Sequence, residues 1–128
     1  MELSDETFIA VDRPSVAAVV GDPRRWADWW PNLDLQVSRD RGDKGRQWVL
    51  TGAVAGTAEI YLEPWHDGTV VHLFLRLELP TGDPGSAADR GRAVRRRTLA
   101  WKRTIHRLKD ELEAGRAAGT RAQVGHRT

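Results

Sequence analysis

The ten residues 22–31, DPRRWADWWP, hold three of the chain's six tryptophans. Asp22 can cap a helix, and Pro23 fits the first helical turn, where no backbone N–H is needed. The indoles fall at positions i, i+3 and i+4, on one face of a short helix that ends before Pro31: Trp26, Trp29 and Trp30. Three indoles need a large apolar surface to cover them, so we expect this helix to close one end of a hydrophobic core.

The residues on either side of this helix predict a strand and a helix before it and a strand after it. Residues 7–12 alternate as a first strand, and Ser15 is predicted to cap a short helix that extends to Val20. Residues 35–37 predict a short second strand, which the turn-rich segment 40–45 ends.

The middle of the chain predicts three antiparallel strands in succession. Their ranges are 46–54, 57–63 and 69–79, with a tight turn at Ala55-Gly56 and a hairpin signal at Asp67-Gly68. In the last strand the odd-numbered residues are apolar: Val71, Leu73, Leu75, Leu77 and Leu79. The even-numbered residues include His72, Arg76 and Glu78, so we expect one buried face and one mostly wet face.

A long amphipathic helix is predicted over residues 87–114, after a loop at 81–86. Its apolar stripe has alternating spacings of four and three: Val94, Thr98, Trp101, Ile105, Leu108 and Leu112. Two ion pairs at i,i+4 are expected on its surface: Arg107 with Glu111, and Lys109 with Glu113. We expect residues 1–114 to form one domain and residues 115–128 to form a basic, disordered tail.

Composition narrows the class of protein. The chain has 128 residues, no cysteine and no run of about 18 apolar residues, so disulfides, thiolate metal sites and a transmembrane span are not expected. The polar, acidic start is unlike a signal peptide, and a cytoplasmic location is expected.

Residues 1–89 carry 8 Lys and Arg against 15 Asp and Glu, whereas residues 90–128 carry 12 against 3. That basic part is either a solvated helix face with a tail or a surface for acidic lipids, and nothing in the sequence indicates a specific nucleic-acid motif.

The order of elements, with the pattern Asp22-x-x-x-Trp26-x-x-Trp29-x-Pro31 after the first strand, resembles the START-like helix-grip superfamily (SRPBCC), including its polyketide cyclase/dehydrase and lipid transport proteins. The strand-turn-strand segment 49–64 and the helix end at 108–112 resemble small bacterial members. The resemblance implies an α+β fold in which a curved antiparallel sheet wraps around the long C-terminal helix, with two short helices after the first strand. Members commonly have seven strands, and the sequence places about five here. The excess of arginine, 17 against 3 lysines, is typical of a high-GC bacterial source.

The resemblance also implies an elongated cavity between sheet and helix for a hydrophobic ligand such as a lipid or polyketide. The expected lining comprises apolar side chains and the hydroxyl of Thr98: Trp30, Trp48, Leu50, Ile60, Leu62, Leu73, Leu75, Leu77, Thr98, Trp101, Ile105 and Leu108. The same residues could instead form a filled core, because an apolar stripe is equally typical of both. Three further tryptophans are expected at the cavity mouth, or as a structural cover at that end: Trp26, Trp29 and Trp65.

The sequence offers few candidate catalytic residues. If the even-numbered strand face were turned inward, His72 could act as a general base, Arg76 as a carboxylate or oxyanion partner, and Glu59 could lie opposite them. No histidine has metal-ligand spacing to another ligand, and no phosphate-binding or dinucleotide fingerprint is present, so neither metal nor cofactor is expected.

Three functions therefore remain open. The first is binding or transport of a hydrophobic small molecule without catalysis, by a monomer or homodimer. The second is a polyketide cyclase or dehydratase that works by confinement and acid/base groups. The third is an interaction module with a reduced cavity, whose basic helix faces a partner or membrane surface.

Overall fold

A five-stranded antiparallel sheet packs one face against a long C-terminal helix. The computed structural model describes residues 1–78 and 87–114. Leu79 of the predicted strand, the predicted loop at 81–86 and the predicted tail at 115–128 therefore lie outside the described residues. The elements in chain order are β1 (Glu2–Ile9), α1 (Arg13–Val20), α2 (Pro23–Trp29), β2 (Leu33–Asp40), β3 (Gly45–Gly52), β4 (Ala55–Trp65), β5 (Gly68–Glu78) and α3 (Ala87–Glu113). The predicted α+β order is confirmed, with two short helices after the first strand.

The strand order in the sheet is β1-β5-β4-β3-β2. Strands β2 to β5 form a meander, and β1 adds to its far edge by pairing with β5 from Glu2–Arg76 to Ile9–Thr69. β1 therefore begins five residues earlier than the sequence predicted and ends at Ile9 instead of residue 12. The eleven-residue β5 offers partners along its whole length, and the Met1 amino group extends the pairing by donating to the Leu77 carbonyl at 2.8 Å.

The two short helices begin at aspartate caps. In α2, Asp22 accepts from the Arg24 backbone N–H at 3.0 Å, as the sequence predicted. In α1 the cap is Asp12, so the prediction of Ser15 was wrong. The helix starts earlier, at Arg13, and the Ser15 backbone N–H (3.3 Å) and hydroxyl (2.8 Å) both donate to the Asp12 carboxylate.

The turn between β3 and β4 is at residues 53–54, not at Ala55-Gly56 as predicted. Gly52 takes a φ of +105°, which favours glycine, and Ala53 N–H donates to the Asn32 carbonyl at 3.1 Å. Gly56 instead lies inside β4, where a Cβ would overlap the Arg76 carbonyl oxygen of β5. This glycine is thus explained by close strand approach and not by a turn.

Helix α3 covers the sheet through its predicted stripe, in which Trp101, Ile105 and Leu108 are buried. It is also tied to β1, because Lys109 Nζ donates to the Phe8 carbonyl at 2.7 Å and Glu113 accepts from Ala10 N–H at 2.7 Å. The predicted Lys109–Glu113 pair is confirmed at 2.8 Å. The predicted pairing of Arg107 with Glu111 is wrong.

Glu111 instead receives both of its bonds from Arg25 of α2, at 2.7 and 3.3 Å. The partner of Glu111 therefore lies on α2, whereas the α3 sequence alone indicated a partner within α3.

Candidate functional site

Five tryptophans form one continuous cluster between α2, β3 and α3. The Trp26 and Trp30 rings approach Trp48 edge-on, with centroids 5.3 and 5.4 Å away. Trp30 stacks on Trp101 at 5.8 Å, and Trp29 meets Trp101 edge-on at 6.0 Å. Residues 22–31 thus supply three of the five rings.

Trp65, the third residue predicted at the cavity mouth, lies apart from this cluster. It is 52% exposed at the end of β4, and its ring contacts His66 at 4.9 Å. Trp26 is buried inside the cluster, and Trp29 is half-buried at its rim. Of the predicted mouth residues, only Trp29 therefore combines a place at the rim with partial access to solvent.

The indole N–H groups of this cluster are not equally satisfied. Trp26 donates to the Val20 carbonyl at 2.8 Å, and Trp101 donates to the Asp5 carboxylate at 3.1 Å. Trp48 has no exposed surface, and its N–H has no hydrogen-bond partner among the described residues. A buried donor without an acceptor costs about 1–3 kcal/mol, which makes this group unusual.

The other predicted lining residues all belong to the same buried core, on the inner face of the sheet or on α3: Leu50, Ile60, Leu62, Leu73, Leu75, Leu77, Ile105 and Leu108. Thr98 is half-buried, and its hydroxyl donates to the Val94 carbonyl of its own helix at 2.8 Å. That bond takes up the Thr98 hydroxyl proton, which leaves only the oxygen lone pairs for another partner.

Sequence reasoning missed one polar group on the inner face of the sheet, Asp5. Its side chain is only 8% exposed and binds Lys102 Nζ at 2.6 Å, Trp101 Nε1 at 3.1 Å and the Thr7 hydroxyl at 3.0 Å. The odd-numbered alternation of Leu3, Thr7 and Ile9 could have placed Asp5 on this face. With three partners, this carboxylate fixes the edge of α3 against β1.

The three candidate catalytic residues lie on the outer face of the sheet, away from the tryptophan cluster. His72 sits between two carboxylates, with Nε2 2.9 Å from Glu63 and Nδ1 3.5 Å from Glu6. Arg76 is exposed and pairs with Glu2, with Nε at 2.9 Å. These groups could act together only if the even-numbered residues of the strand faced inward. In this structure they face outward.

A depression of about 600 Å³ lies over the sheet and is lined by residues of all five strands, including the buried Leu3, Trp48, Ala58 and Leu75. Its accessible side chains are mostly polar and include Glu2, Gln47, Thr57, Glu59, Phe74 and Arg76. Glu59 is paired with Arg41 at 3.1 Å, and the Phe74 ring is 48% exposed. The depression is therefore an open surface whose charges are largely neutralised by one another.

A second depression, of about 450 Å³, lies between α2 and α3 and is lined in part by Trp29, Thr104 and Leu108. Arg25 and Glu111 form its ion-paired wall.

In the described ranges, no three His, Asp or Glu side chains come together as metal ligands, and no helix is both long and apolar enough to cross a bilayer.

Comparison with known proteins finds likeness in structure but not in sequence. No family model matches the chain, and no curated protein matches it. The Mesorhizobium loti protein MLL2253 matches with a TM-score of 0.71 at 13% identity, over 91% of this chain and all of that one. The Aha1 dimer from Colwellia psychrerythraea matches with a TM-score of 0.67 at 16% identity, over 91% of this chain and 99% of that one.

A third match is DynU16, a protein from the dynemicin biosynthetic locus, with a TM-score of 0.65 at 18% identity. It covers 89% of this chain but only 48% of DynU16, so the chain corresponds to about half of that protein. At these identities the likeness concerns the fold alone. The predicted α+β helix-grip architecture, with a sheet packed on the long C-terminal helix, is confirmed.

Proposed function

We propose that this chain binds a small, mainly apolar molecule that carries a hydrogen-bond acceptor, in the grip between the sheet and α3. The proposal depends above all on the Trp48 indole N–H, which is fully buried and unpartnered among the described residues. Its surroundings are aromatic, with Trp26 and Trp30 both within 5.4 Å of the Trp48 ring. Apolar surroundings with one directed donor are the usual chemistry of a small-molecule site.

The ligand class follows from that chemistry. The acceptor would be a carbonyl, ether or hydroxyl oxygen, because each can take the Trp48 proton without bringing a charge into the core. Flat or ring-containing hydrocarbon would pack against the edges and faces of the indoles. A lipid or polyketide-like molecule has both features, and a fold shared with a protein of the dynemicin biosynthetic locus agrees with such a ligand.

On this proposal the ligand enters beside Trp29. That indole is half-buried where α2 meets α3, contacts Trp101 at 6.0 Å and lines the 450 Å³ depression. A small displacement of α2 would open a path from the depression to the tryptophan cluster.

The enzyme hypothesis has less support, because Arg76 and Glu59 are each ion-paired on the other face of the sheet and His72 lies between two carboxylates there.

The proposal is tested with two probes of matched shape, 2-acetonaphthone and 2-ethylnaphthalene, of which only the first has a carbonyl oxygen. Calorimetric titration of the protein should show that the ketone binds more tightly, by about two- to tenfold, since one neutral hydrogen bond contributes about 0.5–1.5 kcal/mol. In Trp48→Phe this preference should disappear, because the ring remains but the donor is lost.

Trp65→Phe serves as the matched control, since it makes the same change at the exposed tryptophan, and it should keep the preference. The ratio of the two affinities is the readout, so a change in cavity volume in Trp48→Phe does not affect the conclusion. Equal binding of both probes to the wild type, or a preference that survives in Trp48→Phe, would contradict the proposed role of the Trp48 donor.

A further inference from the structure

The exposed side of α3 carries a row of arginines that make no bonds to other side chains in the described part of the chain. We call this surface the basic crest and define it as Arg95, Arg96, Leu99, Arg103 and Arg107, all of them exposed. Two lysines of α3 do have partners: Lys102 binds Asp5, and Lys109 binds Glu113. The four crest arginines are therefore available to an external anion.

Charge is divided between the two sides of the molecule. Residues 87–114 contain nine Lys and Arg against four Asp and Glu, whereas residues 1–78 contain eight against thirteen. The resulting field would turn the crest toward an anionic surface and the sheet away from it. The net charge of +2 is small, but the positive charges are concentrated on α3 and would attract an anionic surface to that side.

The crest matches the phosphates of a lipid surface in chemistry and shape. Guanidinium groups bind phosphate oxygens in a bidentate manner, and a straight helix from Arg95 to Arg107 extends for about 18 Å. Leu99 lies among these arginines with 56% of its surface exposed. An exposed leucine surrounded by arginines can reach the acyl boundary of a bilayer, whereas the phosphate backbone of duplex nucleic acid offers it no apolar partner.

We propose that the basic crest docks the protein onto an anionic lipid bilayer. Arg107 also lines the depression beside Trp29, so docking would bring that depression close to the membrane surface. The docking depends only on the crest and would hold whether or not the interior binds a ligand.

The test is co-sedimentation of the full chain with vesicles of equal parts phosphatidylglycerol and phosphatidylcholine, compared with pure phosphatidylcholine. Binding should require the anionic lipid and weaken as salt is added, because salt screens exposed charges. The double variant Arg96→Glu/Arg103→Glu should lower the affinity by at least about tenfold, since each basic residue near such a surface contributes a substantial attraction.

The matched control is Arg39→Glu/Lys44→Glu, which makes the same change in net charge at exposed residues of β2 and the following turn. It should change the affinity by no more than about threefold, because only the charges that approach the bilayer gain its full attraction. Leu99→Ser should weaken binding several-fold without a change in charge, and Val49→Ser, at an exposed valine of the sheet, should not.

Three results would overturn the proposal: no binding to the anionic vesicles, equal losses in the crest and control double variants, or binding to duplex DNA in place of the vesicles. Circular dichroism of each variant checks that α3 remains folded, and the substituted side chains are all exposed.

Discussion

Gly42 and Gly45 lie three residues apart and both have a positive φ, yet their surroundings differ. Gly42 has a φ of +61° with no atom within 4 Å of a would-be Cβ. At Gly45, with a φ of +126°, a Cβ would overlap the Ile60 carbonyl oxygen of the neighbouring strand. One glycine is therefore required by backbone conformation alone, and the other by conformation and close packing together.

We predict that Gly45→Ala destabilises the protein by more than about 3 kcal/mol or prevents folding, because β3 and β4 would have to separate. Gly42→Ala should cost only about 1–2 kcal/mol, the usual cost of a left-handed residue with a side chain. Urea unfolding followed by tryptophan fluorescence measures both. Similar losses in the two variants would show that close packing at Gly45 is unimportant.

Single residues show where sequence reasoning succeeds and where it fails. The inward positions of Leu73, Leu75 and Leu77 followed from strand alternation, because the period of two fixes which face a side chain takes. The unpartnered N–H of Trp48 could not be predicted, since it depends on which acceptors the fold brings within about 3 Å of one atom. Asp5 could have been predicted but was missed, because a lone carboxylate in an acidic N-terminus resembles a solvated charge.

At the scale of elements, the Arg25–Glu111 pair joins α2 to α3 beside the tryptophan cluster. The hydrogen bonds from Arg25 lower the pKa of the Glu111 carboxyl below its ordinary value. A lowered folded-state pKa stabilises the folded protein at pH values above the ordinary glutamate pKa. That contribution is lost as the pH falls through the lowered folded-state value.

We therefore predict that Glu111→Gln lowers the free energy of unfolding at pH 7 by about 0.2–1 kcal/mol, the range for an exposed ion pair. The difference from wild type should shrink toward zero in acid, once Glu111 is protonated in both states. Asp110→Asn, at the neighbouring exposed residue of α3, is the control and should change stability little at either pH. A Glu111→Gln deficit that stays constant from pH 7 into the acid range would contradict the linkage.

The elements themselves were largely predictable. The stripe of α3, the capped tryptophan helix and the three meander strands each follow from a local period and local turn signals. Errors occurred where a tertiary partner decides the outcome: β1 is longer because β5 is there to pair with it, and Glu111 binds Arg25 because α2 packs beside α3.

At the scale of the whole molecule, five strands and one long helix are enough to build the helix-grip architecture. The inner face of the sheet and α3 contribute one buried core, and five indoles occupy the end beneath α2. Pattern and resemblance predicted this architecture, because a long amphipathic helix after a meander must cover the apolar sheet face. The same pattern is compatible with a filled core and with a lined pocket, so the proposed ligand rests on the buried Trp48 donor.

That claim is tested most directly by the ¹H–¹⁵N spectrum of the six indole N–H groups, recorded before and after addition of 2-acetonaphthone. If the ketone oxygen accepts the Trp48 proton, the Trp48 resonance should move downfield, and the exposed Trp65 should not change. The matched hydrocarbon 2-ethylnaphthalene should give no such downfield shift. A Trp48 resonance that stays in place while the ketone binds would contradict the account.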